Sequence, residues 1–172
     1  MINTNNTDNY SIREDIANFA LEQIDKIYVH GKHGPEFFDC AGFVWYVYYN
    51  ILGIDIYDDG YGLSTTTKIM TSKYGKITLF NENSLTKDFS LINKGDILLF
   101  HRQSLDDFMP RENNKYPGHC GIYLDNNIFI HCSRPKGRVI LNSFKNSKYW
   151  RKVLIGSIDI ANEEIIYKKN RP

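Results

Sequence analysis

Residues 118–133 read GHCGIYLDNNIFIHCS. Two short apolar runs, at residues 120–124 and 128–131, flank the polar triplet DNN at residues 125–127. Asn and Asp favour tight turns because they tolerate the left-handed backbone conformation that such turns require. The stretch therefore predicts an antiparallel β-hairpin, around which the rest of the chain can be arranged.

The hairpin carries two histidines, His119 and His131. Side chains of equal parity around the turn face the same side of a sheet, so both imidazoles should project from one face as direct or diagonal neighbours. Cys120 and Cys132 each follow a histidine and alternate to the opposite face, away from the predicted site. We interpret these two cysteines as small packing residues rather than as a disulfide pair.

Three further β-type runs, at residues 97–100, 138–141 and 153–156, are separated by residues typical of turns. Together with the hairpin they predict a mostly antiparallel sheet of about five strands in the second half of the chain. Helical patterns fill the first half. Helices followed by an antiparallel sheet are the α+β arrangement, in which the helices pack on the sheet.

Two helices are predicted before the sheet. Ser11 and Glu14 have the form of a capping box, and apolar residues recur at helical spacing to about residue 28. Asp39 is a good N-cap for a second, almost wholly apolar helix, which Gly53 should end. A weaker pattern suggests a third helix over residues 64–74.

The composition indicates one globular domain. The chain has 172 residues, of which 42% are hydrophobic and 24% charged, enough to bury a core without disulfides or metals. We predict a flexible lead-in at residues 1–10, a domain at 11–162 and a polar, basic tail at 163–172. Within the domain, the polar residues 102–117 predict a long loop.

Charge and hydropathy exclude several classes of partner. The net charge of +1 provides no general attraction to nucleic acid or to anionic lipid. No apolar run approaches the roughly 20 residues that span a bilayer. The first residues, MINTNN, have neither the basic nor the apolar region of a signal peptide. We therefore expect no nucleic acid, no membrane, and delivery by a route other than an N-terminal signal.

Cys40 is the strongest candidate for chemistry. It follows the N-cap Asp39, and the positive end of a helix dipole lowers a thiol pKa and favours the nucleophilic thiolate. A buried, inert cysteine is the alternative interpretation. His119 could act as the base that a nucleophile needs, and His131 could orient that base. The same three residues could instead ligate zinc, but no CxxC or HxxxH spacing supports a metal site.

Five segments carry a resemblance to a known family. YVHG at 28–31 and FDCAGFV at 38–44 resemble the Tyr-x-x-Gly and Asp-Cys-Ser-Gly-Phe/Leu-Val motifs of the NlpC-type cysteine peptidases, which cut bacterial cell wall. KGDILLF at 94–100, GHCGIYL at 118–124 and FIHCS at 129–133 resemble three further motifs of that family, in the same order. The similarity extends over nearly the whole chain, and it implies a papain-like fold.

The resemblance implies a role for each matching residue. Cys40 corresponds to the nucleophile, His119 to the general base and later acid, and His131 to the residue that orients His119. Tyr28 corresponds to a tyrosine beside the nucleophile. With Asp39 and Gly118, which flank the catalytic residues, we assign Tyr28 to the substrate and oxyanion side of the site. No metal and no cofactor are implied.

The sequence departs from the family motifs at three positions. Ala41 replaces the usual serine after the nucleophile, His30 stands where tryptophan is frequent, and Lys32 replaces the second glycine of the preceding loop. These changes leave the three catalytic positions intact. They affect positions that would shape the substrate pocket.

The implied function is hydrolysis of peptidoglycan stem peptides, at the bond between γ-D-glutamate and the following diamino acid. One alternative is an amidase or cross-bridge peptidase of the related CHAP group. Another is a non-catalytic wall-binding or phage-tail structural module. The expected partner is the peptidoglycan peptide. Delivery as a phage lysin, as a tail component, by a secretion apparatus, or within a longer secreted protein would each suit a chain of this kind.

Overall fold

The structure, a computed structural model, describes residues 5–56, 75–80, 87–101 and 118–160, with residues 5–11 described as helix backbone only. Three predictions lie outside these residues: the helix at 64–74, the loop at 102–117 and the tail at 163–172. The division of the chain into lead-in, domain and tail therefore stays a prediction.

The predicted α+β architecture is confirmed. Within the described residues, three α-helices pack against one curled, mostly antiparallel sheet, which has eight strands rather than about five. The helices are α1 (Asn5–Leu21), α2 (Cys40–Leu52) and α3 (Lys148–Val153); the strands are β1 (Ile27–Tyr28), β2 (Phe37–Phe38), β3 (Lys76–Leu79), β4 (Ile97–Phe100), β5 (His119–Asp125), β6 (Ile128–Ser133), β7 (Arg138–Ser143) and β8 (Leu154–Asp159).

The strand order in the sheet is β2-β1-β7-β6-β5-β4-β8-β3. The five predicted strands are β4 to β8, and they occupy the centre of the sheet. The three additional strands lie at its two edges, and β1 and β2 have only two residues each. Segments of two residues are too short to show a period of their own, so only their pairing in the structure reveals them. The hairpin at the centre therefore places the histidines in the best-supported part of the sheet.

Helix α2 follows its prediction closely. The Asp39 side chain caps its first turn, and Gly53 ends it in the left-handed conformation with φ 67°. The predictions for α1 were less accurate. The helix begins at Asn5, so Ser11 lies within it and does not cap it, and it ends at Leu21 instead of near residue 28. The apolar residues past Leu21 do not mark a helical face, because Ile24 and Ile27 are exposed and Ile27 pairs with Arg138 in the sheet.

The last predicted strand was also slightly wrong. Val153 ends helix α3, and strand β8 begins one residue later at Leu154. The side chain of Ser147 caps α3 by accepting a hydrogen bond from the backbone N–H of Trp150. This short helix brings Trp150 over the sheet, a placement that the sequence analysis did not anticipate.

Two cores cover the two faces of the sheet. Helices α1 and α2 pack on one face, where Cys120 and Cys132 join the buried side chains. Trp150 of α3 covers the opposite face, together with Phe100, Phe129 and Phe144. Alternation along β5 and β6 therefore sends the cysteines toward the helices and the histidines toward the aromatic core.

An ion-pair network joins α1 to the sheet. Arg13 donates hydrogen bonds to Asp96 at 3.0 Å and to Asp159 at 2.7 Å, and also to the backbone carbonyl of Lys94. The Asp96 side chain is only 1% exposed, so its charge depends on these partners.

Among the described residues, no helix combines the length and apolar character needed to cross a bilayer.

Candidate active site

The site is built at the first turn of α2, where Cys40 is the first helical residue. Asp39 holds this turn in place, because one carboxylate oxygen accepts from the backbone N–H of Gly42 at 2.7 Å and the other from that of Gly31 at 2.9 Å. A side chain at Gly42 would meet the carbonyl oxygen of Lys32, so the preceding loop lies directly against the helix start. Asp39 and Gly42 together hold Cys40 in place.

The environment favours the thiolate form of Cys40, which is half-buried. The pKa of the Cys40 thiol lies well below its usual value. The largest cause is a hydrogen bond from the Cys120 thiol, and a hydrogen bond with His119 lowers the pKa further. Burial acts in the opposite direction and raises the pKa, but by less. The positive charge that His119 can carry adds to this stabilisation. The Cys40 thiolate is therefore stabilised by two residues that are neighbours in strand β5.

The predicted placement of Cys120 needs correction. Cys120 does alternate away from the histidines and is fully buried, but it does not lie away from the site. Its Sγ lies 3.3 Å from the backbone carbonyl oxygen of Cys40, and its single proton can be donated either to that oxygen or to the Cys40 sulfur. The reason is that α2 packs on the face of the sheet opposite to the imidazoles, so Cys40 meets both residues at the beginning of β5. Cys132 donates to the Phe38 carbonyl instead, and all three thiols are free.

The two histidines are diagonal neighbours on one face, and the prediction that the hairpin pairs them is confirmed. Nε2 of His119 lies 2.7 Å from Nδ1 of His131. The side chain of His119 is 7% exposed and that of His131 is fully buried. Because Nε2 of His119 is taken by His131, Nδ1 is the ring nitrogen left for Cys40.

Aromatic rings shelter this pair from water. The ring centroids of Phe100 and His119 lie 5.8 Å apart, and those of Trp150 and His131 lie 5.1 Å apart. Burial lowers the pKa of His131 well below its usual value, and the nearby charge of His119 lowers it further. His131 is therefore a neutral imidazole that can orient His119.

A side chain from β7 continues the row of polar groups. Nδ2 of Asn142 lies 2.9 Å from Nε2 of His131. The row thus runs from Cys40 through His119 and His131 to Asn142, from the start of α2 across three adjacent strands. Each imidazole in it has a partner for both ring nitrogens.

Tyr28 interacts electrostatically with Cys40, and Gly118 directly precedes His119 in the chain. The pKa of Tyr28 is raised to about 12, mainly by burial and also by the charges of Cys40 and Asp39, so the phenol keeps its proton at neutral pH and stands close to the thiol. The backbone N–H of Gly118 donates to the carbonyl of Phe100 at 3.0 Å. Burial likewise raises the pKa of Asp39, even though two backbone N–H groups stabilise its charge.

The NlpC/P60 family matches residues 25–159, which include the whole of this site. The chain belongs to the NlpC/P60 family. It is 30% identical over 158 residues to a protein of Escherichia coli strain K12 called probable endopeptidase YafL, which covers 91% of this chain. The chain spans about half of that protein's length, 53%.

Solved NlpC/P60 structures share the fold. The NlpC/P60 domain of the peptidoglycan hydrolase SagA superposes with a TM-score of 0.60 at 22% identity, covering 86% of this chain and 97% of that domain. An NlpC/P60 protein of Bacillus cereus gives 0.62 at 17% identity, covering 87% of this chain and 40% of its own. At such identities the likeness establishes the papain-like NlpC/P60 fold.

The structure adds two residues that sequence reasoning missed in this NlpC/P60 chain. Asn142 lies one residue beyond the predicted strand at 138–141, and extending that strand would have placed it near His131. Trp150 comes from a six-residue helix for which no signal was identified.

Among the described residues, no three His, Cys, Asp or Glu side chains are arranged to hold a metal ion.

Proposed function

We propose that this chain is a cysteine peptidase that hydrolyses peptides of bacterial peptidoglycan. The observation that carries the proposal is the Cys40 thiol at the positive end of helix α2, hydrogen-bonded to His119 in surroundings that lower the pKa of the thiol. A positioned, ionised nucleophile with an adjacent general acid is the machinery that acyl transfer requires. The substrate class is supported by family membership and by relatives that are named as an endopeptidase and a peptidoglycan hydrolase.

The first half of the reaction forms an acyl-enzyme. The Cys40 sulfur attacks the peptide carbonyl, and the carbonyl π electrons move to oxygen. The backbone N–H of Cys40 and the protonated phenol of Tyr28 are the donors proposed for that oxyanion. When the tetrahedral intermediate collapses, the C–N bond breaks and His119 gives its proton to the departing amine. A thioester of Cys40 remains.

The second half releases the acid product. Water attacks the thioester carbonyl while His119 accepts a proton from it, and the Cys40 thiolate leaves. His131 keeps the His119 ring in the plane that both transfers need. We propose the bond between γ-D-glutamate and the diamino acid as the site of cleavage, because the motifs match those of NlpC-type enzymes at each catalytic position.

Digestion of purified cell walls tests this proposal. Cys40→Ala should abolish release of wall fragments while the fold persists, because no other described thiol lies at a helix start beside a histidine. Cys132→Ala removes a buried thiol from the same core and serves as the matched control. Wild-type activity in Cys40→Ala would disprove the cysteine mechanism.

Mass spectrometry of the fragments identifies the bond. A new free amino group on the diamino acid supports the proposed cleavage site. Intact stem peptides freed from sugar would instead indicate an amidase, as in the CHAP group. Wall binding without turnover, unaffected by thiol alkylation, would indicate a non-catalytic module. Walls with two different diamino acids, digested in parallel, would define the preference.

Delivery of the enzyme to the wall stays a prediction. A phage lysin, a tail component and a secreted effector differ in where the protein is found. Immunodetection in virions, culture medium and cell fractions would distinguish these routes.

A further inference from the structure

The row of hydrogen-bonding groups does not end at the second histidine. Strands β6 and β7 pair with Phe129 opposite Asn142 and His131 opposite Ile140. Asn142 is therefore a diagonal neighbour of His131 on the face that carries both imidazoles. Its amide reaches the far ring nitrogen of His131, Nε2, at 2.9 Å.

Proton counting shows why this contact matters. Nδ1 of His119 faces Cys40, so it must be unprotonated to receive the thiol proton, and the ring proton of neutral His119 must then sit on Nε2. That N–H donates to Nδ1 of His131, 2.7 Å away, which must therefore be unprotonated. Because burial keeps His131 neutral, its only proton must be on Nε2, directed at Asn142.

We propose that Asn142 is a positioning residue whose amide oxygen accepts this Nε2 proton and thereby holds His119 in its basic tautomer. The proposal rests on the proposed function of Cys40 and His119. A half-turn of the amide exchanges its nitrogen and oxygen at the same point beside His131. With the oxygen there, every proton in the row has an acceptor and Cys40 can transfer its proton.

The opposite orientation gives an idle site. If the amide nitrogen donates to Nε2 of His131, the proton of His131 lies on Nδ1 and is directed at Nε2 of His119. The proton of His119 then lies on Nδ1, between the ring and Cys40, where it prevents the ring from accepting the thiol proton. The wrong tautomer of a catalytic histidine suppresses acyl transfer even when the geometry is unchanged.

Two substitutions separate the roles of the amide. Asn142→Leu has a similar volume but offers no acceptor, so it should shift His131 toward the Nδ1–H tautomer. We expect kcat to fall by about 10- to 100-fold, by analogy with the partners that orient metal-ligating histidines. KM should stay unchanged. Asn142→Asp can only accept a hydrogen bond, so it should keep the Nε2–H tautomer and restore most of kcat. Leu141→Ala, on an exposed residue of the same strand, is the matched control.

The decisive measurement is the 15N NMR spectrum of histidine-labelled protein, which distinguishes Nδ1–H from Nε2–H for each ring. Wild-type protein should show His131 as the Nε2–H tautomer. A wild-type spectrum with His131 protonated on Nδ1 would overturn the proposal without any variant. So would an Asn142→Leu protein, folded by circular dichroism, that keeps both the wild-type tautomer and the wild-type kcat.

This test is independent of the identity of the substrate. The spectra need no peptidoglycan, so they report on Asn142 even if wall digestion fails. The opposite outcome is also distinguishable. If Cys40→Ala loses wall cleavage while Asn142→Leu behaves like wild type, the assignment as a cysteine peptidase stands and the proposed role of Asn142 is rejected.

Discussion

The thiol of Cys120 offers a direct test of how the Cys40 thiolate is stabilised. Its hydrogen bond is the largest influence that lowers the pKa of Cys40. Hydrogen bonds to charged groups contribute about 1.5–3 kcal/mol, and a thiol is a weak donor, so the lower value applies. One pKa unit corresponds to about 1.36 kcal/mol. We therefore expect Cys120→Ala to raise the pKa of Cys40 by about one unit.

Alkylation of Cys40 by iodoacetamide measures this change, because only the thiolate reacts. The rate at Cys40, followed by peptide mass spectrometry across a pH series, should show its midpoint displaced upward in Cys120→Ala. Below that midpoint the rate at a given pH should fall about tenfold per unit of displacement. The acidic limb of the kcat/KM profile should move in the same direction and by the same amount.

Two variants make the result specific. Cys120→Ser keeps a hydrogen-bond donor at the same place, so the midpoint should stay near that of wild type. Cys132→Ala removes a buried thiol that donates to Phe38 and not to Cys40, so it should cause no displacement. An unchanged or lower midpoint in Cys120→Ala would refute the reasoning, as would an equal displacement in Cys132→Ala.

Two further predictions concern stability and the transition state. Arg13→Leu leaves Asp96 buried without its ion-pair partner, so it should lower the free energy of unfolding by about 3–5 kcal/mol in denaturant titrations at pH 8. The control Arg138→Leu removes an exposed ion pair and should lower it by about 0–1 kcal/mol. Burial raises the pKa of Asp96 to about 7 in the folded protein, above its unfolded value, so its contribution to stability is greatest at low pH and is lost as pH rises toward 7. The cost of Arg13→Leu should accordingly shrink at pH 5, and an equal cost at both pH values would contradict this account. Tyr28→Phe removes a proposed oxyanion donor, so kcat should fall by about 100-fold. The alkylation rate of Cys40 should be largely retained. An unchanged kcat would show that Tyr28 contributes only to packing.

Much of the site could be predicted from local patterns. The helix from Cys40 to Leu52 was visible because its cap, its apolar run and its terminal glycine all lie within fifteen residues. The pairing of His119 with His131 was predictable because a tight turn fixes which side chains share a face. Both inferences depend on short-range backbone geometry, which the order of residues along the chain determines directly.

The remaining features depend on contacts between residues far apart in the chain. Cys120 was predicted to point away from the site. Alternation assigns a residue to one face of a sheet, but it does not say which element covers that face. The packing of α2 brings Cys120 to Cys40, 80 positions away in the chain. Asn142 acquired its place from the register of β6 on β7, and Trp150 from the docking of a short helix. Residue order thus determined which side chains can carry the chemistry, whereas tertiary packing decided which neighbours control their protons, because the pKa and tautomer of a buried group depend on what surrounds it in space.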